Sequence, residues 1–396
     1  MKSMTSDQDR QEGFSLLEAV LAISIAITVI GAVFTVLGPS RGIVEAQPEF
    51  TDMQQRLRVG VDILLGDLMM AGAGAYAGTH TGSLVEQFAP ILPFRRGSSA
   101  AYDDGPGVFR GDAVTIAYVP STSSQTILRS PMTDVTSVEV DSEAGCPVND
   151  PPCGFKPGTS AIVYDGTGAF DAFSVTSADA GGTLTVQPLQ QGSLATAYAA
   201  GAKIVEVVRH AYFLDGPSQQ LMRYDGLAAA AAVLDNVVGL DFQYYADPAP
   251  PEFRNPGRDQ SVSYGPAPPA LDASLSRWPP GENCMWRVSS GVQVPRLVSL
   301  AAGGPGLVPL TPSQLTDGPW CPDDASANRY DADLFRVRRV RVRIRLQTGN
   351  ALLRASLASG RGALFANPGT AMNAARMVPD QSIQFDISPR NMNSSR

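Results

Sequence analysis

Histidine is nearly absent from this 396-residue chain, and charged side chains make up only 17% of it. The two histidines, His80 and His210, lie near no cysteine in sequence, and the four cysteines show no C-x2-C spacing, so the common zinc frameworks are missing. Neither an H-E-x-x-H nor an EF-hand pattern occurs. The acids and glycines of "DGTGAFD", Asp165 to Asp171, have the wrong spacing for calcium and read as a turn. Those of "GAGAYAG" follow a helical pattern instead of a strand, so they read as a hinge and not as a phosphate loop. Excess basic charge is also lacking: 30 bases against 38 acids give a net charge of −8, which argues against nucleic-acid binding over the whole surface. The expectation is a protein that is not an enzyme, with no metal and no cofactor.

What the chain does have is glycine (38), proline (31) and 44% hydrophobic residues, the composition of a globular protein rich in strands and turns. Its length suits two or three domains, or one large domain with insertions. From Phe14 to Leu37 runs an apolar stretch of about 24 residues, slightly more than the ~20 that cross ~30 Å of hydrocarbon. One acid, Glu18, sits near its start. A charge at the centre of a spanning helix costs about 2.5 to 3.5 kcal/mol, so Glu18 needs either a partner or an escape to the headgroups. A cleaved secretory signal has a shorter apolar core, and the one small-x-small candidate, at Val44 to Gln47, comes late.

The polar leader "MKSMTSDQDRQEG" stops at Gly13, Phe14 opens the apolar run, and Glu18 is its fifth residue. In these features the chain resembles type IV pilins and type II secretion pseudopilins with their class III signal. The resemblance implies cleavage between Gly13 and Phe14 by a prepilin peptidase, N-methylation of Phe14, and an assembly role for Glu18, whose charge a neighbour's freed α-amino group compensates inside a filament. The leader departs from the family in carrying Lys2 and Arg10 against Asp7, Asp9 and Glu12, where basic residues usually close it. A plain signal anchor with a snorkelling Glu18 is the alternative.

Downstream, Met53, Leu57, Val61, Leu64 and Leu68 recur at helical spacing while Asp52, Gln55, Arg56, Arg58, Asp62 and Asp67 fall on other faces, which predicts an amphipathic helix ending near Ala71. Pro39 and Pro48 are expected to kink or interrupt it. Beyond it, short alternating runs predict strands: "DAVTIAYV", "TSVEV", "TSAIVYDG", "GTLTVQPL", "AKIVEVVRHAYFLDG", "QQLMRYDG", "VVGLDFQYYAD" and "FRVRRVRVRIRLQ". "FLDGPSQQLMRY" reads as a hairpin turning at Asp215, Gly216 and Pro217. A helical turn or two is expected near Leu227 to Leu234. The predicted fold class is α+β, a long N-terminal hydrophobic helix packed on a mainly antiparallel β-sheet head. Its expected parts are a leader (1–13), a membrane or filament-core helix (14–38), an amphipathic continuation (39–72) and a head (73–396) with a Pro/Gly-rich insertion at about 246–322.

Behind a membrane segment the surroundings are oxidising, so disulfides Cys146–Cys153 and Cys284–Cys321 are expected, although four cysteines allow three pairings and free thiols are the alternative. The segments "MQQRLRVGVDILLGDLMMAGAGAY", "LAAAAAVLDNVVGLDFQYYAD", "VRRVRVRIRL" and "VPDQSIQFDISPRNMN" resemble, in family order, minor pilins of the PilW-like kind; the middle region and the insertion are uncovered. Met69 stands in a stretch where that family commonly shows arginine. The resemblance implies a periplasmic head held in the inner membrane, joining other minor pilins and the major pilin to initiate a type IV pilus, at or near its tip. A GspJ-like pseudopilin is the nearest alternative. A tip adhesin or a DNA-uptake receptor are others, the last resting on a basic stripe of Arg336, Arg338, Arg339, Arg341, Arg343 and Arg345. The phase slip at Arg338 and Arg339 predicts a bulge. A half-solvated sheet face paired with acids is the simpler reading of that stripe.

Overall fold

The computed structural model describes residues 15–74, 89–104, 108–122, 124–143, 145–164, 170–189, 197–248, 306–316, 330–350 and 378–393, with short stretches between 252 and 295 and at 320–321. Helix α1 spans Leu16–Met70. Ser15 starts it through a reciprocal capping box: its Oγ accepts the Glu18 N–H and the Glu18 carboxylate accepts the Ser15 N–H, both at 3.2 Å. At the far end Gly72 adopts φ +77°, a conformation glycine takes without a Cβ penalty, and donates its N–H to Ala117 O at 3.1 Å. The interruption expected at Pro39 and Pro48 is absent, since α1 is continuous through both. Each proline removes one main-chain donor, and the intact turns on either side carry the helix across.

Two strands, β1 (Ile91–Leu92) and β2 (Ala113–Tyr118), begin the first sheet. The chain then leaves it to build β3 (Gln125–Ile127), β4 (Ser137–Glu139), β5 (Ser160–Tyr164), β6 (Phe170–Ala178), β7 (Thr183–Pro188) and β8 (Lys203–Glu206). It returns as β9 (Val208–Asp215), antiparallel to β2, and continues as β10 (Gln220–Tyr224) and β11 (Ala231–Asp235), giving the order β1-β2-β9-β10-β11. The single strand expected over 202–216 is therefore two. The break falls at Val207, whose N–H bonds Ser160 O in one sheet while Val208 pairs with Tyr118 in the other. The β9–β10 hairpin forms where the sequence places it, with Gln220 opposite Asp215. The helical turn expected near Leu227 to Leu234 is instead strand β11, because pairing with β10 seats Leu234 against α1.

Strands β3 to β8 form a six-stranded antiparallel sheet in the order β3-β8-β5-β6-β7-β4. Its two edges join, with Arg129 N–H bonding Glu139 O and Asp141 N–H bonding Ile127 O, both at 2.9 Å, beside a Leu128–Val140 bridge. The sheet is thus a small closed barrel, inserted between two paired strands of the first sheet. Its interior is filled by Leu128, Val138, Val140, Phe155, Val163, Phe173, Val175, Leu184, Tyr198 and Ile204, as expected where so few strands leave no lumen. On β5 the alternate residues Ile162 and Tyr164 face outward into the main core, so this strand is buried on both sides.

A third sheet follows β12 (Val237–Ala246). The Pro/Gly-rich region contributes short strands: β13 (Glu252–Arg254) with β14 (Ser261–Ser263), β15 (Trp286–Ser289) with β16 (Val292–Pro295), β17 (Val308–Pro309), and β18 (Trp320–Cys321) with β19 (Tyr330–Asp331). Of these, β17 pairs with β12, and Leu310 and Leu315 enter the core. Then β20 (Val337–Leu346) and β21 (Gln381–Ile387) complete the order β17-β12-β20-β21. The predicted bulge is present: Arg339 pairs with Tyr245 but Val337 with Ala246, leaving Arg338 as the extra residue.

One continuous core unites these layers. The C-terminal half of α1 contributes Met53, Leu57, Leu64, Leu68 and Ala71 to the same buried cluster as Ile116, Tyr212, Leu221 and Leu234 of the first sheet and Phe242, Val342 and Ile344 of the third. Burying each large apolar side chain is worth about 1.5 to 3 kcal/mol, so this stripe fixes the helix to the head. Val61 packs at the margin of the stripe, and buried Gly60 takes the central place, where a Cβ would stand 2.9 Å from Leu234 Cδ2. The fold is α+β, mainly antiparallel.

Candidate functional site

The N-terminal part of α1, Leu16–Thr35, has a mean hydropathy of 2.4 and none of it is buried, which makes it long and apolar enough to cross a membrane. Leu16 is 85% exposed and Phe34 67%. The hydroxyls of Ser24, Thr28 and Thr35 bond back to the carbonyls of Val20, Ser24 and Ala32, so the few polar atoms of the segment are satisfied within the helix. Glu18 is not without a partner, because the Ser15 amide holds it; the S-x-x-E spacing is the sequence signal that reveals this. Gly13 and Phe14 lie outside the described residues.

At the opposite end of the helix a polar cluster couples α1 to the first sheet. Asp67 Oδ2 lies 2.6 Å from His210 Nδ1 and accepts from Tyr212 Oη at 2.6 Å, and Asp67 Oδ1 accepts from Tyr118 Oη at 3.0 Å. Burial works to raise the Asp67 pKa, but the hydrogen bonds from His210 and Tyr212, the charge of His210 and the bond from Tyr118 outweigh it and hold the carboxyl below its ordinary range. Burial, then the neighbouring Asp67 charge, pushes both phenols up. The sequence pattern puts Asp67 on an outer face of the helix and gives His210 no acid partner; the structure brings the two together. His80 lies outside the described residues.

On β20 the arginines divide into distinct environments. Arg336, just before the strand, is wholly buried: Nε donates to Asp247 O at 3.0 Å, Nη2 to Pro248 O, and Nη1 lies 3.4 Å from Asp333 Oδ1. It belongs to the core and not to a stripe. Arg338, the bulge residue, donates to Phe335 O and Val337 O. Arg339, Arg341, Arg343 and Arg345 occupy alternate positions across from Tyr245, Gln243, Asp241 and Gly239 of β12. Arg341 makes two bonds to Asp386, at 2.7 and 2.9 Å, whereas Arg343 reaches, among the described residues, only the Gln384 amide oxygen, at 2.9 and 3.3 Å. The hydrogen bonds between them, and after these the opposite charges, raise the Arg341 pKa and lower that of Asp386. Arg345 stands 3.9 Å from Asp380 and donates to Val238 O at 3.3 Å. The Tyr245 ring centroid lies 4.2 Å from Arg339 Cζ and 5.1 Å from Arg341 Cζ, within cation–π range. The stripe is therefore four residues long and partly neutralised.

Cys146 and Cys153 form the expected disulfide, with Cα atoms 4.6 Å apart, in the barrel between β4 and β5. Cys284, and the side chain of Cys321, lie outside the described residues, as does most of "DGTGAFD"; its last residue, Asp171, is buried on β6 and accepts from Tyr198 Oη at 2.7 Å. The segment "GPSRG", Gly38 to Gly42, matches the G-x-S-x-G nucleophile pattern by letters alone. It lies inside α1, without the strand-to-helix turn that pattern requires. Comparison with family models, with curated proteins and with solved structures finds no match to this chain.

Proposed function

We propose that this chain is a minor pilin of the PilW-like kind, a membrane-anchored subunit that helps to initiate a type IV pilus and sits at or near its tip. One observation carries the reading: a single uninterrupted helix whose first 20 residues are apolar and wholly unburied while its last turns are locked into a β-rich head. A helix of that kind is incomplete alone, since its apolar end needs lipid or the helices of sister subunits around it. Cleavage between Gly13 and Phe14 by prepilin peptidase frees an α-amino group, and in a filament that group lies beside Glu18 of a neighbour. The head, in the periplasm before assembly, docks on other minor pilins and the major pilin. Mass spectrometry of the purified mature protein tests the first step, with N-methyl-Phe14 the expected terminus and an uncut Met1 terminus the result against it. Glu18→Ala tests the second, and should leave the protein in the inner membrane but out of sheared pili.

The capping box favours a second reading, a plain signal anchor in which Glu18 serves its own helix and faces the headgroups. In that case the uncleaved chain persists and no fibre contains it.

A further inference from the structure

Charge is segregated in this molecule. Residues 119–207, which build the barrel, contain nine Asp or Glu and three Lys or Arg, a net −6 out of the chain's −8. Across the outer face of β12, β20 and β21 the balance is reversed, with Arg339, Arg341, Arg343 and Arg345 against Asp241, Asp380 and Asp386. We infer that this arginine ladder docks the acidic barrel of a second copy of the chain, a head-to-tail contact between neighbouring heads.

The ladder is built for a protein surface. Its guanidiniums are ordered before any partner arrives, Arg341 by the two bonds to Asp386, Arg339 and Arg341 by the Tyr245 ring, and Arg343 by Gln384, so docking costs little side-chain entropy. Arg343 is exposed and its only hydrogen-bonding partner among the described residues is neutral, leaving it a carboxylate short. Arginine and tyrosine are also the side chains enriched where interfaces concentrate their binding energy. The complementary acids are exposed on the barrel: Asp134 and Glu139 at β4, and Asp179 at the β6–β7 turn, bonded to Thr183 N, whose residue pairs with Glu139. A nucleic acid fits the ladder less well, because Asp241 and Asp386 interrupt it and the rest of the chain repels a polyanion. The contact joins two different faces, so it builds a ring or an open chain of copies instead of a two-fold symmetric dimer. It holds whether or not α1 enters a filament.

The test uses the full chain in neutral-detergent micelles, followed by sedimentation velocity over a concentration series at about 25 mM and about 500 mM NaCl, where the Debye length falls from roughly 20 to roughly 4 Å. The expected result is concentration-dependent association at low salt that disappears at high salt. Arg343→Glu, an exposed change whose folding is checked by circular dichroism, should weaken it about tenfold. Mixing Arg343→Glu with Glu139→Arg chains should regain association relative to either variant alone. Association that ignores both salt and Arg343→Glu would come from the apolar helices and overturn the proposal, as would a single chain per micelle throughout. Duplex DNA bound by the wild type and lost in Arg343→Glu, without self-association, would assign the ladder to nucleic acid instead.

Discussion

Asp67 and His210 are 143 residues apart in sequence, yet the Asp67 carboxylate touches the His210 ring at 2.6 Å and so ties the last turns of the long helix to the middle of the first sheet. Two phenols, of Tyr118 and Tyr212, converge on the same carboxylate. Removing it leaves three polar groups without their acceptor. Asp67→Ala should therefore destabilise the head by about 2 to 4 kcal/mol, read as a fall in the urea midpoint with little change in slope. A loss within about 0.5 kcal/mol would mean that water replaces the carboxylate at no cost.

The same residue carries an acid signature. Its folded pKa lies below the ordinary value, so its contribution to stability is complete above the unfolded value, about 3.9, and is lost as pH falls through the lower folded one. Comparing wild type with Asp67→Asn, the gap in melting temperature should shrink as pH falls below about 4. A gap that widens in acid would contradict the sign.

Two helical glycines should respond oppositely to alanine. At Gly66 an added Cβ would meet no atom of the described residues within 4 Å apart from its own helical turn, and Gly66→Ala should gain up to about 1 kcal/mol from helix propensity alone. At Gly60 the new methyl meets Leu234, and the propensity gain is offset by about 1 to 3 kcal/mol of overpacking. Thermal melts of both variants, side by side, decide the matter.

Reducing the Cys146–Cys153 disulfide should cost the barrel about 2 to 3 kcal/mol by the loop-entropy relation for so short a ring. Limited proteolysis with and without reductant should place the new cleavage between β4 and β5. Unchanged fragments would show that the filled barrel interior holds this loop unaided.

Capping and charge can be separated at Glu18. Glu18→Gln keeps a side chain able to accept the Ser15 amide but removes the charge, so helix content should be unchanged while incorporation into pili falls. Ser15→Ala should do the reverse, weakening the first turn by about 1 kcal/mol and sparing incorporation. Equal incorporation of Glu18→Gln and wild type would rule out charge compensation.

Most strands were legible because alternation with period two survives in sequence, and β20 displays even its bulge, at the paired Arg338 and Arg339. The apolar helix and the arginines were legible for the same reason, being local patterns. What stayed hidden depends on distant pairing. Nothing local distinguishes the runs that close the barrel from those that extend the first sheet, and the junction at Val207 lies within a run, Lys203 to Leu214, that holds neither glycine nor proline to mark a turn. Asp67 reads as a solvent-facing acid because its partners come from β2 and β9. Of the two outcomes expected at Pro39 and Pro48, interruption does not occur, since the turns on either side carry α1 through both.

Tyr118 and Val208, where the chain departs for the barrel and where it comes back, are directly opposite one another on β2 and β9. An excursion with adjoining ends can be lengthened, shortened or exchanged without rethreading the sheet that carries it. The acidic lobe is thus a cassette. Any replacement must still present apolar substitutes for Ile162, Tyr164 and Val205, which plug the shared interior, so heredity can vary its outward chemistry far more freely than the side turned toward the helix.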